Sequence, residues 1–344
     1  MVIETVTERH LGREALLAMR AVADAVDLAR LVERDVATGA LSKGDASPVT
    51  IADFSVQALI AARLARDRPS DTLVAEEDAT ALRTAPDLST RVVDVVRAAE
   101  PGLDADQILD WIDRGGGNPG RRFWALDPID GTKGLLRGCQ YAVALALIVD
   151  GTVQLGVLGC PRLSLAHQPS LSAEADASSE GGIAVAVRGR GAWWSARSDE
   201  SLTPLSVSRV SEPARACVLH SFETPHSDVE ALRRVVETLC VERPPWLMDS
   251  QAKHVVLASG AADVLLRFPT LHGCHEAIWD QAAGSVLIEE AGGRVTDLAG
   301  HPLDFSTGRH LSRNEGLVAT NGVLHDAVLK AVQTVLQKHS LPGA

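Results

Sequence analysis

The stretch DPIDGTKGLLRG, residues 127–138, places two aspartates three positions apart on a turn between two apolar segments. Pro128 restricts the backbone between them, so Asp127 and Asp130 are held at defined positions. Two carboxylates held this close repel each other unless a cation lies between them. Ligand sets made only of oxygen favour hard cations, Mg²⁺ in particular. The stretch therefore predicts a magnesium-binding turn.

Gly131 and Thr132 follow the second aspartate and add further chemistry to the turn. Glycine lets the backbone approach a ligand, and successive N–H groups at such a turn can bind an oxyanion. A threonine hydroxyl bonded to a carboxylate can orient a water molecule and help to deprotonate it. Metal ligands, an oxyanion site and a water-positioning hydroxyl are together typical of phosphoester hydrolysis without a protein nucleophile.

Three further acids, Asp53, Glu76 and Asp280, also lie where we expect the ends of helices or strands. The edges of elements are where a rigid scaffold delivers side chains to a shared cleft. Taken alone, Asp53 or Asp280 could equally be a residue that caps a helix or offsets the helix dipole. The histidines and cysteine of LHGCHE, residues 271–276, match no usual zinc spacing, so we predict no metal role there.

Two helices and an insertion are predicted in the first third of the chain. Apolar positions three and four residues apart predict a long amphipathic helix over 10–38 and another that starts near Val49. That second helix carries Asp53 close to its start. Residues 79–121 are polar and interrupted, and we expect a surface insertion or lid with a helix near 86–100.

Strand patterns dominate the middle of the chain. Strands are predicted at 71–78, 124–130, 141–151 and 152–161, with the last two joined by a turn at Asp150 and Gly151. A run of small polar residues at 166–182 predicts a mobile loop, after which strand character returns. From Ser201 onward short strands and helices alternate, which is typical of an α/β domain. We therefore predict two domains, at 1–200 and 201–344.

Composition and charge restrict the function classes. A net charge of −12 argues against nucleic acid as a partner. Five cysteines, an odd number without a C-x-x-C pair, argue against a disulfide framework and for a reducing compartment. No stretch approaches the ~18 apolar residues of a membrane span, and the first twenty residues lack a signal-peptide pattern. We therefore expect a cytoplasmic protein that does not bind membranes.

Four segments resemble, in order, the motifs of the lithium-sensitive, metal-dependent phosphatases related to inositol monophosphatase. These segments are SPVTIAD, AEED, DPIDGTKGLLRG and WDQAAGSVLIEEAGG, and the resemblance covers about residues 10–325. DGTKGLLRG, DSQAKHVVLASGAADVLLRFP (249–269) and PLDFSTGR (302–309) are similar to the 3′(2′),5′-bisphosphate nucleotidase branch of this superfamily, although Leu135 replaces its usual phenylalanine. The resemblance implies an α/β (α+β) layered αβαβα sandwich with two subdomains, as in inositol monophosphatase and fructose-1,6-bisphosphatase. It also implies dependence on Mg²⁺ and inhibition by lithium.

The resemblance further implies roles for individual residues. One Mg²⁺ would be held by Glu76, Asp127 and the carbonyl of Ile129, and a second by Asp127, Asp130 and Asp280. A third, weaker ion would contact Glu76 through water, and Asp53 with Thr132 would activate the attacking water. The substrate would be bound by Gly131, Thr132, His226, Ser250, Lys253 and Arg267. The sequence departs from the family beside His226, where Phe222, Glu223 and Thr224 replace a Val-Glu-Lys segment.

The implied reaction is hydrolysis of 3′-phosphoadenosine 5′-phosphate (PAP) to AMP and phosphate by metal-activated water, with 3′-phosphoadenylyl sulfate (PAPS) as a further substrate. The alternatives are a phosphatase for inositol mono- or polyphosphates, a sugar bisphosphatase and, from another class, a non-catalytic nucleotide sensor. Ser250, Lys253 and Arg267 favour the nucleotidase, unless the two cations are ordinary surface residues. All five acids and Thr132 are present, which disfavours the sensor. The sequence does not decide between a monomer and a homodimer.

Overall fold

Two β-sheets separate three layers of helices, in the order helix, sheet, helix, sheet, helix. The computed structural model describes residues 11–37, 48–165, 181–197, 201–221, 229–269 and 275–339. Within these ranges, none of the helices combines the length and the apolar character needed to cross a membrane. The layering confirms the predicted αβαβα sandwich.

The first sheet contains seven strands in chain order, and it includes the four strands that the sequence predicts. Its strands are β1 (Thr72–Ala75), β2 (Arg122–Asp130), β3 (Ala142–Val149), β4 (Thr152–Cys160), β5 (Gly182–Val187), β6 (Gly191–Ala196) and β7 (Thr203–Pro204). Strand β1 is parallel to β2, and all other neighbours are antiparallel. The predicted turn between β3 and β4 is confirmed, because Asp150 and Gly151 both have the positive φ that a two-residue hairpin needs. The loop predicted at 166–182 lies mostly outside the described residues.

The first helical layer covers the outer face of this sheet. It consists of α1 (Arg13–Ala37), α2 (Pro48–Asp67), α3 (Thr80–Thr84), α4 (Pro86–Ala99) and α5 (Ala105–Asp113). The short helix α6 (Thr132–Arg137) follows β2 and contacts α2. Helix α1 buries a stripe with the predicted three- and four-residue spacing, formed by Ala18, Val22, Ala25, Ala29 and Val32.

Residues 79–121 are not the surface lid that we expected. Their helices α4 and α5 bury Val92, Val96, Ile108 and Ile112 in the same core as α1 and α2. The segment appears polar in sequence because each of these helices is amphipathic and has a solvated outer face. The segment therefore supports the sheet instead of covering a site.

A middle layer of two helices, α8 (Ala252–Ala258) and α9 (Ala282–Glu290), lies between the sheets. Every residue of α9 from Ala282 to Ile288 is buried, as expected for a helix that is apolar on all sides. The sheet face beneath α9 is lined with small residues. A Cβ added to Gly156 of β4 would lie 2.6 Å from the carbonyl oxygen of Ala283. Glycine at this position therefore permits the close approach of helix and sheet.

The second sheet has the strand order β11-β12-β10-β8-β9. Its strands are β8 (Val218–His220), β9 (Trp246–Leu247), β10 (Val264–Arg267), β11 (Arg294–Thr296) and β12 (Leu317–Thr320). The third helical layer, α7 (Val229–Thr238) and α10 (His325–His339), covers its outer face. The first sheet ends at Pro204 and the second begins at Val218, but the cluster around α8 and α9 joins both sheets. The two-domain division near residue 200 therefore stays a prediction.

Candidate active site

A cleft of about 550 Å³ opens where β2 ends and where the segments before α8 and α9 meet. Of the predicted site residues that the structure describes, all but Asp53 line this cleft. The predicted metal ligands along it are Glu76, Asp127, Ile129, Asp130 and Asp280. The predicted substrate contacts along it are Gly131, Thr132, Ser250, Lys253 and Arg267. Residues from distant parts of the chain thus share one cavity.

A bulge at the end of β2 explains how both of its aspartates reach the cleft. Residues three positions apart in a regular strand point to opposite faces of the sheet. Asp127 pairs with Ala144 and Asp130 pairs with Ala142, so β2 carries one extra residue between the two pairs. A bulge of this kind re-aims the side chains that follow it. Asp127 and Asp130 can therefore face the same space.

The four predicted carboxylate ligands differ in their exposure: Asp127 is buried, Asp130 and Asp280 are half-buried, and Glu76 is exposed. Burial, followed by the charges of Asp130 and Glu76, raises the pKa of Asp127 well above its ordinary value. Burial likewise raises the pKa of Asp280 to about 8, although Arg267 opposes this shift. The Oδ1 atom of Asp127 is buried and has no hydrogen-bond partner in the part of the chain that the structure describes. A buried, unpartnered carboxylate oxygen in an all-oxygen donor set fits a hard divalent cation.

The acids face one cleft but are not drawn together as closely as the ligands of one ion. Among the described residues, no three His, Cys, Asp or Glu side chains form a ready-made metal cluster. The protein itself neutralises some of the acids: Asp130 accepts a hydrogen bond of 2.5 Å from the N–H of Gln251, and Asp280 lies 4.0 Å from the guanidinium of Arg267. Repulsion between like charges favours this spacing. We therefore expect divalent ions to draw the carboxylates inward.

Asp53 lies deeper in the structure than predicted. The predicted start of its helix is confirmed within one residue, since α2 begins at Pro48 and Asp53 is its sixth residue. Asp53 is 5% exposed and does not line the cleft. Burial, followed by Glu77 and Glu76, raises its pKa well above the usual range. Within the described ranges no hydrogen bond joins Asp53 to Thr132, and their joint action on water stays a prediction.

Asp280 also differs slightly from its predicted place. It ends a 3₁₀ turn, Ile278–Asp280, and α9 begins only at Ala282. Gln281 separates the turn from the helix, and its non-helical φ of −128° explains the break. Asp280 therefore enters the cleft from a turn and not from the first turn of the helix.

Two cations lie beside these acids in the same cleft. Lys253 is only 8% exposed and donates a hydrogen bond of 3.1 Å to the carbonyl of Met248, so it is not a surface residue. Burial lowers the pKa of Lys253 to about 8, although nearby aspartates oppose the shift. Arg267 bonds Glu276 at 2.8 Å. Burial disfavours the charge of Arg267, but Glu276 and Asp280 raise its pKa above the ordinary value.

The two turns that carry Gly131 and Ser250 pack directly on each other. Both residues have positive φ, +85° for Gly131 and +64° for Ser250. A Cβ added to Gly131 would lie 2.8 Å from the Cβ of Ser250, so this contact requires glycine. The predicted contact His226 lies outside the described residues. Ser221, which lies five positions before it, lines the cleft.

Sequence reasoning missed the residues that hold these turns in place. Gln251 is 2% exposed; its backbone N–H binds Asp130, and its side-chain amide donates to the carbonyl of Trp279 at 3.0 Å. Arg137 forms an ion pair with Asp249. Gln251, Arg137 and Asp249 all lie inside motifs quoted above. The motifs that indicate the site therefore contain these residues, but the spacing of the motifs does not distinguish them from their neighbours.

Comparison with known proteins agrees with this geometry. The chain is 40% identical over 342 residues to a 3′(2′),5′-bisphosphate nucleotidase of Oryza sativa, which covers 95% of each chain. It is also 40% identical over 350 residues to the enzyme of the same name from Emericella nidulans, covering 94% of this chain and 99% of the relative.

The fold and the family are supported by two further comparisons. The inositol monophosphatase of Anabaena sp. PCC 7120 superposes with a TM-score of 0.60 at 20% identity, covering 93% of this chain and 94% of the other. Residues 12–337 match the inositol monophosphatase family. The chain therefore belongs to the inositol monophosphatase family, in the branch of the 3′(2′),5′-bisphosphate nucleotidases, as its motifs predict.

Proposed function

We propose that the protein is a Mg²⁺-dependent 3′(2′),5′-bisphosphate nucleotidase that hydrolyses PAP to AMP and phosphate. The observation that carries this proposal is that Lys253 and Arg267 share one cleft with the four carboxylates predicted to bind metal. A substrate with two phosphates needs both parts of such a cleft. One phosphate reacts beside the acids, while the other stays on the product and is held by fixed positive charge. The names of the relatives support the same reaction.

The acids would hold the metal ions in the arrangement that the family resemblance implies. Glu76, Asp127 and the carbonyl of Ile129 would bind one Mg²⁺, and Asp127, Asp130 and Asp280 would bind a second. Glu76 would contact a third through water. Bound Mg²⁺ lowers the pKa of a water molecule and neutralises the charge on the leaving oxygen. The unpartnered Oδ1 atom of Asp127 supports this ligand set.

The chain's own residues would position substrate and water. Thr132 lines the cleft beside Gly131, so its hydroxyl can orient a water molecule toward the scissile phosphate. Asp53, whose pKa burial raises, would accept the proton through Thr132. Backbone N–H groups at Gly131 and Thr132 would bind phosphate oxygens. Lys253 and Arg267 would hold the 5′-phosphate, which PAPS also carries in sulfated form; we therefore include PAPS as a second substrate.

A phosphate-release screen with Mg²⁺ tests the proposed function. The panel should contain PAP, PAPS, inositol 1-phosphate and a sugar bisphosphate. We expect kcat/KM for PAP to exceed that for inositol 1-phosphate by at least ~100-fold, because only PAP uses the additional charged contacts. Dominant activity on inositol 1-phosphate would favour an inositol phosphatase. Tight binding of PAP without phosphate release would favour a nucleotide sensor.

The contribution of Lys253 can be measured with a substrate that lacks the 5′-phosphate. For Lys253→Met we expect kcat/KM for PAP to fall by ~10- to 100-fold, since a charge-assisted hydrogen bond is lost. The same change should alter kcat/KM for 3′-AMP by less than ~3-fold, because 3′-AMP does not use that contact. Lys330→Met on the exposed face of α10 is the matched control. Equal losses on PAP and 3′-AMP would remove Lys253 from the 5′-phosphate site.

Gln251 provides a separate prediction, because it connects the loop of Asp130 to the turn of Asp280. We expect Gln251→Leu to lower kcat by ~10- to 100-fold, in the range seen for residues that orient metal ligands. The KM for PAP should change by less than ~3-fold, since Gln251 is proposed to orient acids and not to bind the nucleotide. Gln333→Leu, at an exposed amide on α10, is the control. An unchanged kcat would contradict a positioning role for Gln251.

A further inference from the structure

The side chain of Arg309 bridges the end of β1 and the 3₁₀ turn that ends at Asp280. Its guanidinium donates hydrogen bonds to the carbonyls of Gly115, at 3.1 Å, and Ala75. The same group lies 4.8 Å above the centre of the Trp279 ring. Ala75 directly precedes Glu76, and Trp279 directly precedes Asp280. One side chain thus touches the neighbours of two predicted metal ligands.

The backbone around Arg309 is fixed to the segment that leads into Asp280. The carbonyl of Arg309 accepts a hydrogen bond of 3.0 Å from the N–H of Ile278, and the N–H of Leu311 donates to the carbonyl of Glu276 at 2.9 Å. His310 and Ala277 form an antiparallel bridge between these two bonds. The segment 309–311 therefore lies beside 276–278 as a short two-stranded ladder.

The other end of the contact is equally well defined. The carbonyl of Gly115 also accepts a hydrogen bond of 2.8 Å from the N–H of Ala75. Arg309 therefore adds two hydrogen bonds at the end of β1, where the main chains of Ala75 and Gly115 are already bonded to each other. The planar guanidinium has donors in a fixed fork, so it can bond two carbonyls and stack on a ring at the same time.

We propose that Arg309 is a positioning residue that sets the distance between Glu76 and Asp280, and through it the affinity of the cleft for divalent cations. Arg309 donates hydrogen bonds to two carbonyls and stacks on an aromatic ring, so these contacts leave the carboxylates of the cleft available to bind metal. The inference rests on the proposed function, because it assigns Arg309 to the metal site of that reaction. A purely structural role would affect only the stability of the protein. A positioning role predicts that a variant of Arg309 that still folds binds metal more weakly.

The test compares Arg309→Lys and Arg309→Leu with the wild-type protein. Lysine keeps the charge but cannot bond both carbonyls and cover the ring. Arg313→Leu is the matched control, because Arg313 is exposed, lies four positions further on and pairs with Asp304. Mn²⁺ binding is measured by electron paramagnetic resonance of the free ion, in the absence of nucleotide. We expect the Kd for Mn²⁺ to rise by ~10-fold for the lysine variant and ~10- to 100-fold for the leucine variant.

Activity and stability separate this role from simple loss of folding. The Mg²⁺ concentration that gives half-maximal PAP hydrolysis should rise with the Kd for Mn²⁺, while excess Mg²⁺ restores kcat and leaves the KM for PAP within ~3-fold. Unchanged Mn²⁺ affinity in a folded variant would overturn the proposal, as would a lower melting temperature with unaltered affinity. If the wild-type protein hydrolyses no nucleotide, the proposed function fails, but the Mn²⁺ comparison still tests Arg309.

Discussion

Replacing Asp127 by asparagine is expected to lower kcat/KM for PAP by about 10³-fold, because the charge stabilisation supplied by a metal ion is worth several kcal/mol. Asp127 is proposed to contact both ions, and it is 3% exposed with one unpartnered oxygen. Asparagine keeps the shape of the side chain and removes its charge. Phosphate release and Mn²⁺ binding should both be measured, and both should be impaired.

A stability measurement distinguishes this effect from damage to the fold. Asp127→Asn removes a buried charge that is repelled by Asp130 and Glu76. In EDTA the variant should therefore melt at a higher temperature than the wild-type protein, whereas added Mg²⁺ should stabilise it less. Asp326→Asn serves as the control, because Asp326 is 90% exposed on α10. An Asp127→Asn variant that keeps its activity within ten-fold would exclude Asp127 from the metal site.

Stabilisation by Mg²⁺ is expected to grow as the pH rises from 6 to 9. Without metal, burial and neighbouring carboxylates raise the pKa of Glu77 to about 7 and that of Asp280 to about 8. The folded metal-free protein therefore retains protons that the unfolded chain has released. The stability associated with those protons is present at low pH and is lost as the pH rises through about 7 and 8.

Metal binding should reverse the part of this loss that comes from Asp280, because Mg²⁺ would bind its ionised carboxylate. At pH 8.5, Mg²⁺ at ~100 times its Kd should raise the melting temperature by about 3 °C or more. The same Mg²⁺ concentration should raise the melting temperature less at pH 6. Differential scanning calorimetry in EDTA and in Mg²⁺ at matched ionic strength measures the difference. Stabilisation by Mg²⁺ that is independent of pH, or that declines as the pH rises, would contradict a metal site that contains Asp280.

The main helices and strands and the cation-binding turn at 127–130 were predicted from local patterns, whereas the αβαβα layering was predicted from the resemblance to inositol monophosphatase and its relatives. Apolar periodicity located α1 and the strands of the first sheet, and the spacing of Asp127 and Asp130 indicated a cation. The start of the helix that carries Asp53 was predicted within one residue, but the apolar pattern did not show that Asp53 is buried and does not line the cleft. In residues 79–121 the helix near 86–100 was predicted correctly, but the polar outer faces of α4 and α5 concealed their buried stripes.

Contacts between distant residues could not be predicted in the same way. Arg309 bonds a carbonyl 234 positions away, and no spacing in the sequence points to that partner. The bulge that turns Asp127 and Asp130 to one side depends on pairing with β3 and not on local preference. The roles of the individual site residues, including His226, stay predictions.

The contact of α9 with β4 has a consequence for how the cleft can vary. Helix α9 follows Asp280 after a single intervening residue, and its depth against the sheet is limited by backbone atoms at Gly156. The position of Asp280 therefore depends on the distance between the main chain of α9 at Ala283 and that of β4 at Gly156. Replacing Gly156 by a residue with a side chain would shift α9 and with it Asp280, although no residue of the site itself would have changed.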